Sequence, residues 1–386
     1  MGAAGSRTRP RHTGPLVLAL LLAPALPAAA QPDPEPRANL EVGVEGPLRG
    51  ESTLAGYAFF LWNRPHFPAD DESLRVVIAP TYLESELVRT EWPRDGHAVG
   101  LGISGGGFRF GHEEFRRGQH LEGESFWGHG VELPLSYYPR TTIAGVLPLE
   151  GQIRLTPGYQ VYQRSPDTRD RFELPPDSEL LTGRLGLRLG GVPPELLPNL
   201  ALEASIWYEA TYRAHAGRYG LAERPQELEH LTHRAWGRLA AVLTPARGHT
   251  IEVATTAGVT ADTDPLSSFR MGSALPFRSE FPLILHGYFV EEIFARRFWL
   301  VNASYRFPAW PGAQRVQLRL GVDYAYVDYV AGHALPRRNL RGLSADVSLA
   351  LARKVTLLLG YGYGVDAPRS GTFGGHEAIA LIELKF

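Results

Sequence analysis

One pattern constrains this chain more than any other. A period-two alternation of apolar and polar residues recurs along most of its length and runs to the last residue. From Arg315 to Tyr326, the residues Val316, Leu318, Leu320, Val322, Tyr324 and Tyr326 fall on one face. Arg315, Gln317, Arg319, Gly321, Asp323 and Ala325 fall on the other. Lys354 to Val365 repeats the pattern, with Val355, Leu357, Leu359, Tyr361, Tyr363 and Val365 opposed to Lys354, Thr356, Leu358 and three glycines. Successive side chains of a β-strand point to opposite faces, so a period of two reads as strand. The segments are roughly 10–13 residues long, the length of a tilted strand that crosses a bilayer. A soluble sandwich also alternates, but with shorter strands whose apolar face is buried on a second sheet. Here the apolar face ends in tyrosine and the opposite face is polar or glycine, as expected of lipid on one side and an aqueous lumen on the other.

Composition narrows the chemistry. Among 386 residues there is no cysteine, which removes disulfide scaffolds, thiolate metal sites and cysteine nucleophiles. A net charge of −2 gives no electrostatic case for nucleic acid. No motif calls for a metal or another cofactor. Residues 1–30 carry Arg7, Arg9 and Arg11, then an apolar run from Leu16 to Leu26, then Pro27-Ala28-Ala29-Ala30. This is the three-part pattern of a secretory signal peptide. The expected organisation is a signal peptide at 1–30, a short periplasmic lead at 31–48 and a barrel at 49–386. That lead is too short for a periplasmic domain.

The alternating segments lie near 50–62, 73–89, 96–110, 124–138, 148–163, 179–190, 199–213, 232–243 and 249–261, then 296–307, 314–329, 340–351, 354–365 and 375–386. The fold class is therefore all-β, a transmembrane antiparallel barrel of about 14 strands, with 12–16 compatible with the pattern; an even number suits a single-chain bacterial barrel. Pro175-Pro176 and Pro193-Pro194 read as turns or loops. Arg154, Arg184, Arg188, Arg306, Arg315 and Arg319 all fall on the lumen side. In the last strand, Ile382, Leu384 and the terminal Phe386 share the apolar face. This resembles the C-terminal signal of bacterial outer-membrane barrels, and it implies insertion into the outer-membrane bilayer with the help of a barrel assembly machinery.

A long connection at 268–292 separates the ninth and tenth segments. It contains Phe269-Arg270-Met271-Gly272 and Leu285-His286-Gly287-Tyr288, and it is followed by Asn302-Ala303-Ser304-Tyr305-Arg306-Phe307-Pro308 and by Leu320-Gly321-Val322-Asp323. This order resembles the C-terminal barrel of the bacterial surface antigen superfamily, which includes outer-membrane insertases and two-partner secretion transporters. The resemblance implies that the 268–292 loop folds into the lumen, where an Arg-Gly-aromatic tip meets acidic residues on inward-facing strands. In this chain His286 stands where the family has arginine, and Ser304 where it often has glutamate, while the aspartate is kept as Asp323. The expected constellation is His286, Gly287, Tyr288, Ser304, Arg306, Arg319 and Asp323, with a His286–Asp323 contact at its centre. The superfamily's periplasmic POTRA domains have no counterpart, so a periplasmic partner protein is the expected substitute.

Three functions fit this reading. The first is insertion or translocation of protein or lipid, or an accessory role in it. The second is passive diffusion of small solutes. The third is hydrolysis, because Gly102-Ile103-Ser104-Gly105-Gly106 fits G-x-S-x-G, and Gly100 to Gly107 resembles the glycine-rich loop of patatin-type phospholipases. A glycine-rich lumen face explains that run better. His112-Glu113 and His376-Glu377 are not completed to H-E-x-x-H, and Glu291-Glu292 reads as a solvated pair. The expectation is a protein that is not an enzyme.

Overall fold

The computed structural model describes residues 35–386 except 51, 53, 80, 108–109, 144, 146, 198–199, 274, 276–281 and 314. The expected signal peptide lies outside the described residues. Sixteen antiparallel strands close on themselves. They are β1 (Arg37–Pro47), β2 (Ala55–Pro65), β3 (Glu72–Ala79), β4 (Tyr82–Thr90), β5 (His97–Gly106), β6 (Phe126–Glu132 continued by Leu135–Ile143), β7 (Leu147–Arg164) and β8 (Ser178–Leu197). The second half is β9 (Leu200–Arg213), β10 (Leu231–Ala246), β11 (His249–Ala261), β12 (Ile293–Pro308), β13 (Val316–Tyr329), β14 (Asn339–Ala352), β15 (Val355–Arg369) and β16 (Thr372–Lys385). Each pairs with its chain neighbours. β1 closes on β16, from Asn39 opposite Lys385 to Pro47 opposite Glu377.

Two differences separate sixteen strands from the expected fourteen. Residues 37–47, assigned to the periplasmic lead, form β1, in which Glu41 and Glu45 are buried inward while Val42 and Val44 face out. The 73–89 segment is a hairpin, not one strand: Ala79 pairs with Tyr82 across a two-residue turn. Alternation continues on both sides of that turn, and this concealed it. Two local expectations also change. Pro193 and Pro194 fall within β8, where its register against β9 shifts. Arg315 lies before β13 and is exposed rather than lumen-facing.

The outward face is apolar. Leu101 and Ile206 are each 64% exposed, and Leu185, Leu187, Leu239, Leu320 and Val322 extend the same belt around the wall. A continuous girdle of exposed aliphatic side chains is stable only against lipid. Among the described residues no helix is long and apolar enough to cross a membrane; the lipid-facing belt is carried by strands. The start of β1 and the end of β16 lie at one rim, where the connections are mostly short, such as 247–248 and 353–354. The opposite rim carries the longest ones, at 107–125, 165–177, 214–230 and 262–292. Short periplasmic turns and long external loops orient the barrel. Several external loops pack over the mouth around Phe126, Tyr162, Phe172, Tyr219, Leu221 and Leu228.

The closed sheet makes a direct prediction. Unboiled protein from outer membranes should migrate faster on a denaturing gel than boiled protein, because a closed hydrogen-bonded cylinder unfolds only on heating. Identical mobility would contradict closure.

Candidate functional site

The 262–292 connection leaves β11, turns into the lumen and returns as β12. Its tip is held by one carboxylate. Asp323 projects inward from β13, and its Oδ2 accepts from the backbone N–H of His286 at 3.0 Å and contacts His286 Nδ1 at 2.6 Å. Asn302 of β12 donates to Asp323 Oδ1 at 2.7 Å and to the carbonyl of Ile284 at 3.0 Å. The expected His286–Asp323 contact is therefore present, and Asn302 completes it. Ser304 stands two residues along the inward face from Asn302, opposite Gly321. It is Asn302 that bonds the aspartate.

The next residue explains why the tip can approach the wall. Gly287 has φ +81°, and a Cβ there would sit 1.7 Å from the backbone nitrogen of Gly364 on β15. The wall is equally bare, since a Cβ on Gly375 of β16 would stand 2.0 Å from the Gly287 carbonyl oxygen. Glycine is required on both sides of this contact. Tyr288 is fully buried in the cluster that also contains Leu285, Met271, Phe298 and Leu335.

Further anchors fix the base of the loop. Glu292 is fully buried, not solvated, and Arg369 of β15 donates to both its oxygens at 2.9 and 2.8 Å. The Arg369 guanidinium also lies 3.6 Å over the ring of Phe289. Ser273 Oγ and the Leu275 N–H donate to Glu45 of β1 at 2.6 and 3.1 Å. The loop thus grips β1 through Glu45 and packs Gly287 on β16, the two strands that close the barrel.

Above the plug lies a buried ionic knot. Glu114, on the 107–125 loop, is contacted by His112 at 2.8 Å, His333 at 3.0 Å and Arg116 at 2.7 Å. Burial works against the Glu114 carboxylate, but the hydrogen bonds from His112 and His333 override it and hold its pKa well below the usual range. Burial pushes the His112 imidazole below its ordinary 6.5. Arg270, rooted in the plug, approaches His112 Nδ1 at 3.4 Å and stacks 3.6 Å over Phe294. The knot joins two external loops to the plug.

Much of the lumen wall around the plug carries paired charges. Glu86 receives Arg75, Arg154 and Tyr138, Glu209 receives Arg184 and Arg234, and Glu203 receives Arg188. Arg319 bonds Asp346 at 2.6 Å, and Arg306, directly opposite it, is 3.8 Å from Glu252. Arg306 and Arg319 thus face inward as expected, but they belong to a ladder nearer the periplasmic rim and not to the His286 contact. Ser104 sits inside β5 with its hydroxyl 3.3 Å from Glu132. The strand–turn–helix context of a nucleophile elbow is not there. A cavity of about 780 Å³ remains between the plug and this wall.

Asn302, Glu45, Glu292 and Arg369 were not among the expected site residues. Asn302 was within reach, because it lies on the same alternating face as Ser304. The others carry no local signal; they matter only because the closed wall brings β1 and β15 to the loop.

Two predictions follow from this geometry. Arg369→Met leaves the Glu292 carboxylate buried without its partner, at a cost of about 3–5 kcal/mol. It should lower the temperature at which the fast-migrating form is lost, and removing Glu292 as well should recover much of the loss. The knot should loosen in acid. Below 6.5 the unfolded chain takes up a proton that folded His112 resists, so stability is lost as pH falls through that value, and Glu114 adds to the loss below the ordinary 4.5. Hydrogen-exchange protection of 107–125 and 330–338, corrected for intrinsic rates, should drop between about pH 7 and about pH 5. His112→Gln should remove most of that change.

No protein-family model and no curated protein sequence matches the chain. Solved structures do. CdiB from Acinetobacter baumannii superposes with a TM-score of 0.59 at 14% identity over 91% of this chain and 60% of its own. CdiB from Escherichia coli gives 0.62 at 9% identity over 95% and 64%. BamA from Haemophilus ducreyi lacking POTRA domains 1–3 gives 0.58 at 10% identity over 91% and 70%. This chain therefore spans under two thirds of the CdiB chains, and at these identities the likeness is one of fold. With the lipid-facing belt and the closed sheet, it makes the protein an outer-membrane β-barrel with the fold of the CdiB and BamA barrels.

Proposed function

We propose that this barrel serves insertion or translocation of protein or lipid at the outer membrane, or supports a machine that does so, and that it performs no catalysis itself. The observation that carries the reading is the plug. The 268–292 loop holds β1 through Glu45 and meets β16 through Gly287 and Gly375, so the pore filler and the closing seam form one mechanical unit. A passive pore has no need to tie its filler to its seam. A loop joined to both seam strands can instead transmit a change at the lumen to the wall. In this proposal, substrate handling on the periplasmic side falls to a partner protein.

Passive diffusion is the competing reading, favoured by the polar ladders along the lumen. Flux decides between them. In proteoliposomes the intact protein should pass small sugars slowly, and replacing residues 275–286 by a short flexible linker should raise the flux sharply. Rapid flux through the intact protein would favour the diffusion channel and overturn the plug's proposed role.

A further inference from the structure

The outward face of the barrel is not uniform at its external end. Above the apolar belt, the tops of β9 and β10 carry an aromatic pair, Tyr208 with His233 at 2.7 Å. The tops of β12, β13 and β14 carry arginine instead. Register explains two of these residues. β12 shifts its register against β13 between Ala295 and Arg297, and the consecutive residues Arg296 and Arg297 are both exposed. Arg297 stands opposite Asp328 and alternates with the outward-facing Trp299, which is opposite Tyr326. Arg337, Arg338 and Arg341 come from the 330–338 connection and the start of β14, and their side chains are 47%, 62% and 54% exposed.

Two carboxylates serve these five guanidiniums. Asp328 accepts from Arg296 at 2.7 Å and lies 3.9 Å from Arg338. Asp366 of β15 is buried and accepts from Arg341 at 2.8 and 3.0 Å and from Arg337. Five positive charges against two negative leave three within the patch. They lie where the lipid-facing belt ends. Arg341 is opposite Tyr324, and one outward step below it Leu343 is opposite Val322, both exposed aliphatic side chains. Among the arginines, Asn339 is exposed and its Oδ1 accepts from the Tyr324 hydroxyl at 2.8 Å. From β12 to β15, at about 4.8 Å between strands, the patch spans roughly 14 Å. One phosphate engages one or two guanidinium forks, so this width suits two phosphates on one headgroup.

We propose that this patch docks a lipid whose sugar headgroup carries two phosphates. The guanidiniums of Arg296, Arg297 and Arg338 take the phosphates through their planar forks. Asn339 and Tyr324 meet sugar hydroxyls, and the acyl chains lie along Leu320, Val322 and Leu343. The long loops place this end of the barrel outside, so the lipid belongs to the outer leaflet. The proposal concerns the outer surface and stands whether or not the barrel translocates a substrate.

The test is native mass spectrometry of the full mature barrel in detergent, titrated with diphosphoryl lipid A, monophosphoryl lipid A or cardiolipin. Diphosphoryl lipid A should bind most tightly. Loss of one phosphate should weaken binding, and so should the absence of the sugar in cardiolipin. Gln at Arg296, Arg297 and Arg338 leaves buried Asp366 with both its partners, so this triple variant should fold and stay heat-modifiable. A basic side chain at a membrane surface contributes about fivefold to the binding of anionic lipid. The triple variant should therefore bind diphosphoryl lipid A roughly 100-fold more weakly. Asp328→Asn, which removes one of the two carboxylates, should tighten binding. Arg315→Gln with Arg353→Gln, exposed at the periplasmic rim, should leave it unchanged. Unchanged affinity in the triple variant would overturn the proposal. So would an equal loss in the periplasmic pair, weaker binding in Asp328→Asn, or cardiolipin bound as tightly as diphosphoryl lipid A.

Discussion

The structure depends on a constraint imposed by hydrocarbon. A backbone N–H or C=O in the bilayer core has no water to bond, so each must find a partner in the protein. Strands meet that demand only when the sheet closes. Closure here is made by β1 against β16, from Asn39 opposite Lys385 to Pro47 opposite Glu377. Once the sheet is a cylinder, its inward faces from distant parts of the chain converge on one lumen. Asp323, Glu45 and Arg369, far apart in sequence, all meet the same loop there.

The lumen then sets a second condition. Its polar side chains are shielded from water by the plug and the external loops, so unpaired charges would be costly. The pairing follows from that. Glu209 sits between Arg184 and Arg234, Glu86 between Arg75 and Arg154, and Glu292 against Arg369. The plug is held by the same logic, with short polar contacts at its tip and an apolar cluster around Tyr288.

Much of this was legible along the chain. The outward and inward faces of β13, β15 and β16 are those that alternation assigns, because a strand has only two faces and lipid tolerates only one kind of residue. His286 opposite Asp323 was legible through a resemblance in order and spacing. Other features were not. The turn between Ala79 and Tyr82 was invisible because alternation runs through it, and β1 was obscured because its inward residues are glutamates within a segment that reads as a polar lead. Glu292 looked like a solvated loop charge because its partner, Arg369, lies at the far end of β15.

By itself the sequence determined the fold class and, in the strands whose alternation it showed, which side of the wall most residues face, since these follow from local periodicity and from the solvent on either side. Only the tertiary structure decided the number of strands, the partners of each lumen charge and the grip of the plug on the seam. Those depend on which strands become neighbours and at what register, and register is a property of the closed sheet as a whole, not of any one segment.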